Sequence, residues 1–153
     1  LGAGGAAAAI IQGLIERRAA RIIVINRTRD KAEMLAHRFG KGVEVMSYDQ
    51  MNDAFRNADF LVNTTSLGMK GQPDLELDLS ALNKKALVTD IVYVPLETGL
   101  LRTARAQGLV AVDGLGMLLH QAVPGFEHWF GKRPTVTEEL RALVEADIFG
   151  HKP

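Results

Sequence analysis

The sequence predicts a doubly wound α/β fold, in which a parallel sheet is covered by helices on both faces and followed by a C-terminal helix pair. Three observations predict it. Short β-branched runs alternate with helical patterns, the chain opens on a glycine cluster, and no strand pattern appears in the last forty residues. Alternation favours a parallel sheet because parallel neighbours need crossover connections, which usually contain a helix.

The first elements follow this alternation closely. AAAAIIQGLIERR combines strong helix formers with apolar residues at helical spacing, and RIIVIN is a β-branched run typical of a buried strand. The next helix, TRDKAEMLAHRF, is predicted to begin with Thr28 as its N-cap and to end at Gly40, with Asp30 in its first turn.

The alternation continues to residue 113. It predicts a strand VEVMS, a helix YDQMNDAFRN, a strand DFLVNTT, an irregular stretch containing Gly68, Gly71 and Pro73, a strand ALVTDIV, a helix ETGLLRTARAQ and a strand LVAVD. Two helices, GMLLHQAVPGFEHWFG and TVTEELRALVEADIFG, then close the chain. Their aromatic residues need apolar surface to pack on, either this sheet or a part of the protein outside the chain: Phe126, Trp129, Phe130 and Phe149.

Composition and charge indicate one globular domain in 153 residues. Eighteen basic residues balance eighteen acidic ones without a block of like charge, which argues against a nucleic-acid partner. The run AAAAII is too short to span a bilayer and has no basic segment before it, so we expect neither a membrane partner nor a targeting segment. With no cysteine, disulfides and zinc-thiolate sites are excluded, and the cytoplasm is the expected compartment.

The opening LGAGGAAAA fits the dinucleotide fingerprint G-x-G-x-x-G/A through Gly2, Gly4 and Ala7. Gly2 permits a tight turn, Gly4 lets the backbone approach a phosphate, and Ala7 allows close packing of the helix on the sheet. Alone, the motif is equally compatible with an ordinary helix start. It also lacks the strand that normally precedes it, because only Leu1 stands in front of Gly2.

The end of the RIIVIN strand indicates the cofactor. Asn26 follows Gly2 by 24 positions, close to the spacing of about 20 at which a Rossmann-like fold reads the ribose. NAD-specific sites place an acidic residue there, whereas this chain offers the guanidinium of Arg27, the hydroxyl of Thr28 and the ammonium of Lys31. We therefore predict NADP. The alternative is that Arg27 is a solvated charge and Thr28 only a helix cap.

Two further sets of polar residues are expected at the carboxyl edge of the sheet, where ligands of open α/β sheets bind. In NTTSLGM, the side chains of Thr64, Thr65 and Ser66 could hydrogen-bond the cofactor, with Thr65 as the cofactor-binding candidate, or simply form a polar loop. By the same count Tyr93 and Gln121 lie near one cleft. Periodicity alone would instead give Tyr93 a packing role and place Gln121 on an exposed helix face.

The sequence shows no convincing general base, nucleophile or metal site. The histidines have no ligand spacing, and no G-x-S-x-G motif occurs. Asp90 and Asp113, at predicted strand ends, are interpreted as caps. We therefore expect no catalytic residue and no metal in this chain. The histidines are His37, His120, His128 and His151.

Five motifs nonetheless occur in an order and at a spacing similar to those of the C-terminal half of shikimate dehydrogenases. They are GAGGAA, NRTRDKA, NTTSLGM, DIVYVPLETGLLRTARAQG and GLGMLLHQAVPGFEHWFG, and the resemblance covers essentially the whole chain. It implies an NADP-dependent oxidoreductase of aromatic amino acid biosynthesis that reversibly reduces 3-dehydroshikimate to shikimate. It also implies that an N-terminal substrate domain and the first Rossmann strand are missing here.

The resemblance assigns roles to individual residues. It implies a phosphate loop over Gly2, Ala3, Gly4, Gly5 and Ala6, and an adenosine-phosphate site at Asn26, Arg27, Thr28 and Lys31. It places Ile91 and Gly114 beside the nicotinamide, and Tyr93 and Gln121 on the substrate. The family's catalytic Lys and Asp belong to its N-terminal domain and correspond to no position here.

These implications give a definite domain organisation. Residues 1–116 are expected to form the NADP-binding domain without its first strand, and residues 117–153 the helices that pack on the missing substrate domain. A sheet of order 3-2-1-4-5-6 without strand 1 would leave unpaired backbone groups in its middle. The chain is expected to be inactive alone, and its oligomeric state stays open, a homodimer being one option. Two alternatives remain: a quinate/shikimate dehydrogenase paralogue and a non-catalytic nucleotide-binding module.

Overall fold

The computed structural model describes residues 1–150, in which helices alternate with parallel strands. This confirms the predicted α/β class; His151 lies outside the described residues. The first six elements are α1 (Gly5–Glu16), β1 (Ile22–Ile25), α2 (Arg29–Phe39), β2 (Val43–Met46), a 3-10 turn (Tyr48–Gln50) and α3 (Met51–Arg56). The remaining six are β3 (Phe60–Asn63), β4 (Leu87–Asp90), α4 (Gly99–Ala106), β5 (Val110–Val112), α5 (Leu115–Phe130) and α6 (Glu138–Gly150).

The strands form two parallel sheets rather than one continuous sheet. β1 pairs with β2, and β3, β4 and β5 form a second sheet in that order. Asn63, the last residue of β3, is the register partner of Asp90, the last residue of β4. Among the described strands, no ladder joins β1 to β3. The break lies where the sequence predicted unpaired backbone groups.

Leu1 lies between the two sheets and pairs as a strand residue would. Its ammonium donates to the carbonyl of Val62 at 2.7 Å, and its carbonyl accepts from the N–H of Thr64 at 2.8 Å. A residue that bonds to both neighbours of the residue opposite it shows the parallel ladder pattern. Leu1 is therefore in parallel register with Asn63.

Below Leu1, an apolar groove of about 350 Å³ separates β1 from β3. At the carboxyl end of β1 the groove is closed by Gly2, whose N–H donates to the carbonyl of Ile25 at 2.9 Å. The walls come from both strands and from the helices beside them, and include Leu14, Ile23, Phe55 and Leu61. We call this feature the central groove.

β1 contributes to the cores on both faces of the fold. Ile22 and Val24 pack into one cluster with the buried residues of α1 and α2. Ile25, and Ile23 beside it, pack into the other cluster, which surrounds β3 and β4. This two-sided burial confirms the interpretation of RIIVIN as a buried strand, because successive side chains of a strand point to opposite faces.

The ends of α2 agree with the sequence in position but not in every contact. Gly40 ends the helix with φ of 75°, a value that favours glycine. Thr28 holds the N-cap position, but its hydroxyl makes no capping hydrogen bond. The turn is held instead by Asn26, whose Nδ2 donates to the carbonyl of Thr28 at 2.8 Å. The prediction that Thr28 is the N-cap of α2 is therefore confirmed in position, while its hydroxyl makes no capping bond and is left for other partners.

The C-terminal helices leave an aromatic face uncovered. The rings of Phe126 and Phe130 lie 4.5 Å apart, and Trp129 is 77% exposed. An ion pair of 2.8 Å between Asp113 and Arg141 ties α6 to the end of β5. The side chain of Phe149 lies outside the described residues. No helix among residues 1–150 has both the length and the apolar character needed to cross a bilayer.

Candidate functional site

The glycine turn presents free backbone donors at the N-terminus of α1. Gly2 has φ of 100°, and a Cβ there would lie 2.5 Å from Oγ1 of Thr64, so only glycine fits. No side chain caps α1 at Gly4, and the helix ladder starts with the bond from Ala8 N–H to the Gly4 carbonyl at 3.1 Å. The first-turn N–H groups thus have no intrahelical acceptor. With open space at Gly4 and Gly5, this turn fits a phosphate.

The alanines of this turn have different surroundings. Ala7 is buried at 4% exposure, as close packing of helix on sheet requires. Ala3 is half-buried against the same core cluster as Ala7. Ala6 lines a separate cavity, described below. Among these residues, Ala6 therefore joins the glycine turn to the rest of the site.

A second set of cations and donors surrounds the N-terminus of α2. Arg27, Thr28 and Lys31 are exposed there. Arg29 is occupied by an ion pair with Glu33 at 2.7 Å. Within residues 1–150, neither Arg27 nor Lys31 forms an ion pair, so two free cations and a free hydroxyl face solvent at this end. Such a group of donors suits a phosphate dianion.

A cavity of about 470 Å³ lies at the carboxyl edge of the sheets. The fold brings five predicted site residues into its wall from α1, from the loops after β3 and β4, and from α5: Ala6, Thr65, Ile91, Tyr93 and Gln121. Thr64 and Ser66 line it as well. The sequence reasoning missed Met69 and Met117, which supply much of its apolar wall. Both occur within the quoted motifs NTTSLGM and GLGMLLHQAVPGFEHWFG, but an apolar side chain gives no sign of a ligand-binding role.

Gly114 lies outside the wall of this cavity but supports it. A Cβ at Gly114 would lie 2.5 Å from the carbonyl oxygen of Ile91 and 2.6 Å from that of Val92. Only glycine therefore lets the start of α5 approach the loop after β4 so closely. The structure places Gly114 against the backbone of that loop, consistent with its expected position near Ile91.

Asp113 and Asp90 differ, although both were interpreted as caps. Asp113 accepts a hydrogen bond at 3.0 Å from the N–H of Leu115, the first residue of α5, although Gly114 holds the N-cap position. Asp90 accepts from Val92 N–H at 3.0 Å, but it is buried at 1% exposure and also bonds Asn63 and Thr98. The cap interpretation of Asp90 is therefore incomplete. Burial raises the pKa of Asp90, while these hydrogen bonds act in the opposite direction.

The cavity wall contains one ionisable side chain, the phenol of Tyr93. No Asp, Glu, Lys or His of the described residues lines it, and residues 1–150 hold no cluster that could bind a metal. The wall can therefore orient a ligand through Thr65, Tyr93 and Gln121. It offers no ordinary acid or base for proton transfer at neutral pH.

Comparison with known proteins gives consistent matches. Residues 1–93 match the family described as Shikimate / quinate 5-dehydrogenase, and residues 114–143 match the Shikimate 5'-dehydrogenase C-terminal domain. Shikimate dehydrogenase (NADP(+)) of Nitrobacter winogradskyi is 58% identical over 148 residues. The match covers 97% of this chain and 53% of the relative, so the chain spans about half the length of the curated relatives it matches.

Solved structures agree with the sequence matches. Quinate dehydrogenase from Corynebacterium glutamicum, in complex with NAD, has a TM-score of 0.83 at 33% identity, covering 94% of this chain and 52% of its own. Shikimate 5-dehydrogenase from Thermus thermophilus, in complex with NADP(H) and shikimate, has a TM-score of 0.77 at 32% identity. That match covers 97% of this chain and 52% of the other. Both neighbours have the Rossmann-like fold that the sequence predicted.

Proposed function

The chain belongs to the shikimate / quinate 5-dehydrogenase family, and from this premise we propose that it is the NADP-binding half of a shikimate dehydrogenase. The complete enzyme would reversibly reduce 3-dehydroshikimate to shikimate with NADPH. One observation carries the proposal: the phosphate-binding turn and the cavity share Ala6, so a single extended ligand can reach from one to the other.

The site favours NADP over NAD on electrostatic grounds. The free guanidinium of Arg27, the ammonium of Lys31 and the hydroxyl of Thr28 lie together at the N-terminus of α2. A helix N-terminus adds partial positive charge to such a site. We propose that this group binds the 2′-phosphate, which NAD lacks. The printed names of the curated relatives, which specify NADP(+), support this choice.

Within the cavity, the chain's own residues bind and orient the reactants. NADPH, when bound, supplies the hydride. We propose that Thr65 holds the cofactor beside Ile91, while the phenol of Tyr93 and the amide of Gln121 hydrogen-bond the substrate. The apolar side chains of Met69 and Met117 limit the water that can lie against the cavity wall. A dry wall strengthens the polar contacts that fix the reacting groups.

The proton for the new hydroxyl comes from outside this chain in our proposal. The described wall offers no Lys or Asp for it, and the relatives are about twice as long as the matched region. We assign the catalytic Lys and Asp of the family to a preceding substrate domain. The central groove is suited to the last strand of that segment, because Leu1 already pairs in parallel with β3.

We propose the corresponding domain division, residues 1–116 for the cofactor and 117–153 for the terminal helices. α5 begins at Leu115, and its residues Met117 and Gln121 line the cavity, so this helix serves both parts. The uncovered aromatic side chains Phe126, Trp129 and Phe130 then face the substrate domain.

The main alternative is a quinate/shikimate dehydrogenase, supported by the family description and by the quinate dehydrogenase neighbour. A non-catalytic nucleotide-binding module would keep the same cofactor site. A chimera separates these functions: the N-terminal half of the Nitrobacter winogradskyi relative is joined to this chain. NADP reduction with shikimate, but none by this chain alone, is expected, and an inactive, folded chimera that binds NADP favours the module. Faster reduction with quinate than with shikimate favours the paralogue.

Cofactor binding is tested directly by calorimetric titration of NADP and NAD into the chain. NADP should bind at least about tenfold more tightly, because a charge-assisted contact contributes about 1.5–3 kcal/mol. Arg27→Ala should remove most of this preference and leave NAD binding unchanged. Arg38→Ala is the matched control, since it removes one positive charge from the far end of α2, where Arg38 lies over the Phe39 ring. Equal binding of both cofactors, or equal effects of both variants, would overturn the NADP assignment.

A further inference from the structure

Three buried polar side chains connect the loops that form the cavity. Asn63, Asp90 and Thr98 are the buried polar or charged residues of the described chain, each at most 1% exposed. They stand at the end of β3, at the end of β4 and at the N-cap of α4. None of them lines the cavity. We call them the buried polar chain.

The carboxylate of Asp90 is the centre of the buried polar chain. Its Oδ1 accepts from Asn63 Nδ2 at 2.9 Å and from the N–H of Val92 at 3.0 Å. Its Oδ2 accepts from Oγ1 of Thr98 at 2.8 Å. Both oxygens are therefore held by donors, and a rotation of the carboxyl would break several bonds at once.

Asn63 at one end of the buried polar chain and Asp90 at its centre both bond to residues of the cavity wall. Oδ1 of Asn63 accepts from the N–H of Thr65 at 3.0 Å and from its hydroxyl at 2.7 Å. The N–H that Asp90 holds belongs to Val92, between Ile91 and Tyr93. The loop after β3 and the loop after β4 are thus both tied, directly or through one amide, to the same carboxylate.

We infer that Asp90 and Thr98 are positioning residues for the nicotinamide end of the cofactor, a role that rests on the proposed NADP function. They set the distance between Thr65 and the loop of Ile91 without touching the ligand. Thr98 matters because its hydroxyl is the donor to Oδ2. Without it, a buried carboxylate oxygen loses its partner, and the carboxyl must turn, draw in water or bind a proton.

The inference predicts an effect on one end of the cofactor only. The proposed adenosine-phosphate site around Arg27 is built by β1 and α2. The side chains of this site share no hydrogen bond with the buried polar chain. Loss of the Thr98 hydroxyl should therefore change nicotinamide contacts and leave the binding of the phosphorylated adenosine unchanged. A general loss of structure would weaken both.

The experiment compares Thr98→Val, which is nearly isosteric but lacks the hydroxyl, with Thr98→Ser, which keeps it. NADPH binding is followed through nicotinamide fluorescence and by calorimetry, and 2′,5′-ADP binding by calorimetry. We expect Thr98→Val to weaken NADPH about tenfold and to lose the fluorescence change. Its affinity for 2′,5′-ADP should stay within about twofold of the parent, and Thr98→Ser should match the parent in both assays.

The outcomes separate this inference from the proposed function. If Thr98→Val binds NADPH with the parent's affinity and fluorescence, the positioning role is wrong while the NADP site stands. Equal weakening of NADPH and 2′,5′-ADP in a folded variant also overturns it, because the effect is then not confined to the nicotinamide. If the parent binds neither ligand, the proposed function fails and the inference fails with it.

A second variant keeps the test decisive if Thr98→Val does not fold. Thr98→Cys replaces the hydroxyl with a thiol, a weaker donor of similar volume. Its NADPH affinity and fluorescence should lie between those of the parent and the full loss, with 2′,5′-ADP unchanged. A Thr98→Cys protein with the parent's NADPH behaviour would overturn the inference by itself.

Discussion

The carboxyl edge of β3 and β4 and the central groove lie next to each other, yet they differ in how completely the chain satisfies its own polar groups. At the edge, Asp90 and its partners hold one another, and no buried side-chain polar atom of the described residues lacks a partner. In the groove, β1 and β3 lie apart without a ladder. Among the described residues, Leu1 bonds to β3 and Gly2 bonds to β1, so these two residues connect the strands. The edge is complete within the described residues, whereas the groove leaves β1 and β3 unpaired with each other.

This difference teaches where the chain's own sequence is sufficient. Side-chain hydrogen bonds such as those of Asn63 connect segments far apart in sequence. The polar groups at the carboxyl edge can therefore be satisfied by side chains of the described residues. A gap between parallel strands can be closed only by backbone, because ladder bonds join N–H and carbonyl groups. We expect the carboxyl edge to tolerate only isosteric substitutions. We expect the stability of the region around the groove to depend on what packs between β1 and β3.

The largest expected effect sharpens the contrast by making the same substitution in both regions. Leu101, in α4, is fully buried in the continuous core, whereas Leu61, in β3, lines the groove. Leu101→Ala should lower the free energy of unfolding by about 4 kcal/mol, and Leu61→Ala by about 2 kcal/mol. The second leaves a smaller new cavity because open space already adjoins it. Urea unfolding of both variants measures the difference, and equal losses would contradict an open groove.

The next effect tests the bridge at the top of the groove. In a protein prepared to begin at Leu1 with a free amine, burial lowers the pKa of the Leu1 ammonium to about 6, from an ordinary 8.0. Between these values the unfolded chain binds more protons than the folded one, so stability should rise as pH increases from about 6 to 8. A shift of this size corresponds to about 3 kcal/mol at most.

The measurement is urea unfolding of the chain with a free Leu1 amine across that pH range. The matched control is the Nα-acetylated chain, which keeps an N–H donor for the carbonyl of Val62 but has no ammonium. We expect its stability to be nearly flat over the same range. If both proteins show the same slope, the Leu1 amine is not buried as described.

The smallest effect concerns Asp90 at the completed edge. Burial raises the pKa of this carboxyl above 3.8, and the hydrogen bonds from Val92, Thr98 and Asn63 oppose the increase. The folded chain then binds more protons than the unfolded one in that interval. Stability should therefore fall as pH rises from 3.8 through the raised pKa, opposite in sign to the groove.

Asp90→Asn is the matched variant, because its amide keeps an oxygen for Asn63 and Val92 while the charge is removed. We expect the difference in unfolding free energy between parent and variant to change across the acidic interval, by less than the Leu1 effect. A parent that gains stability as pH rises there, relative to Asp90→Asn, would show that hydrogen bonding outweighs burial at this carboxyl.

The sequence alone predicted the fold class, the break in the sheet and the polar residues of the cavity wall, because each has a local signal. Gly2 and Arg27 lie at predictable distances from strand ends, and residues after parallel strands meet at one edge. Asp90 was interpreted as a cap because its partner Thr98 and its neighbour Asn63 are related only by the fold. A strand-end aspartate looks the same in sequence whether it is exposed or buried.

Thr28 and Met117 show the same limit at smaller scale. A threonine before a helix is a good N-cap by residue type, but the hydroxyl of Thr28 makes no capping hydrogen bond to the helix amides. Met117 has no polar group to mark it, and its place in the wall depends on where α5 crosses the sheet edge. Contacts of this kind follow from packing geometry, which has no pattern of its own along the chain.

The pairing of Leu1 with β3 also sets a distance that ligand chemistry depends on. Leu1 is bonded on both sides of Asn63, and Gly2, which follows it, opens the phosphate turn. A shift of one residue in this pairing would move the glycine turn by about 3.3 Å along the sheet and reverse the faces of the paired side chains. The register of Leu1 on β3 thus fixes where the glycine turn stands relative to the cavity at the carboxyl edge.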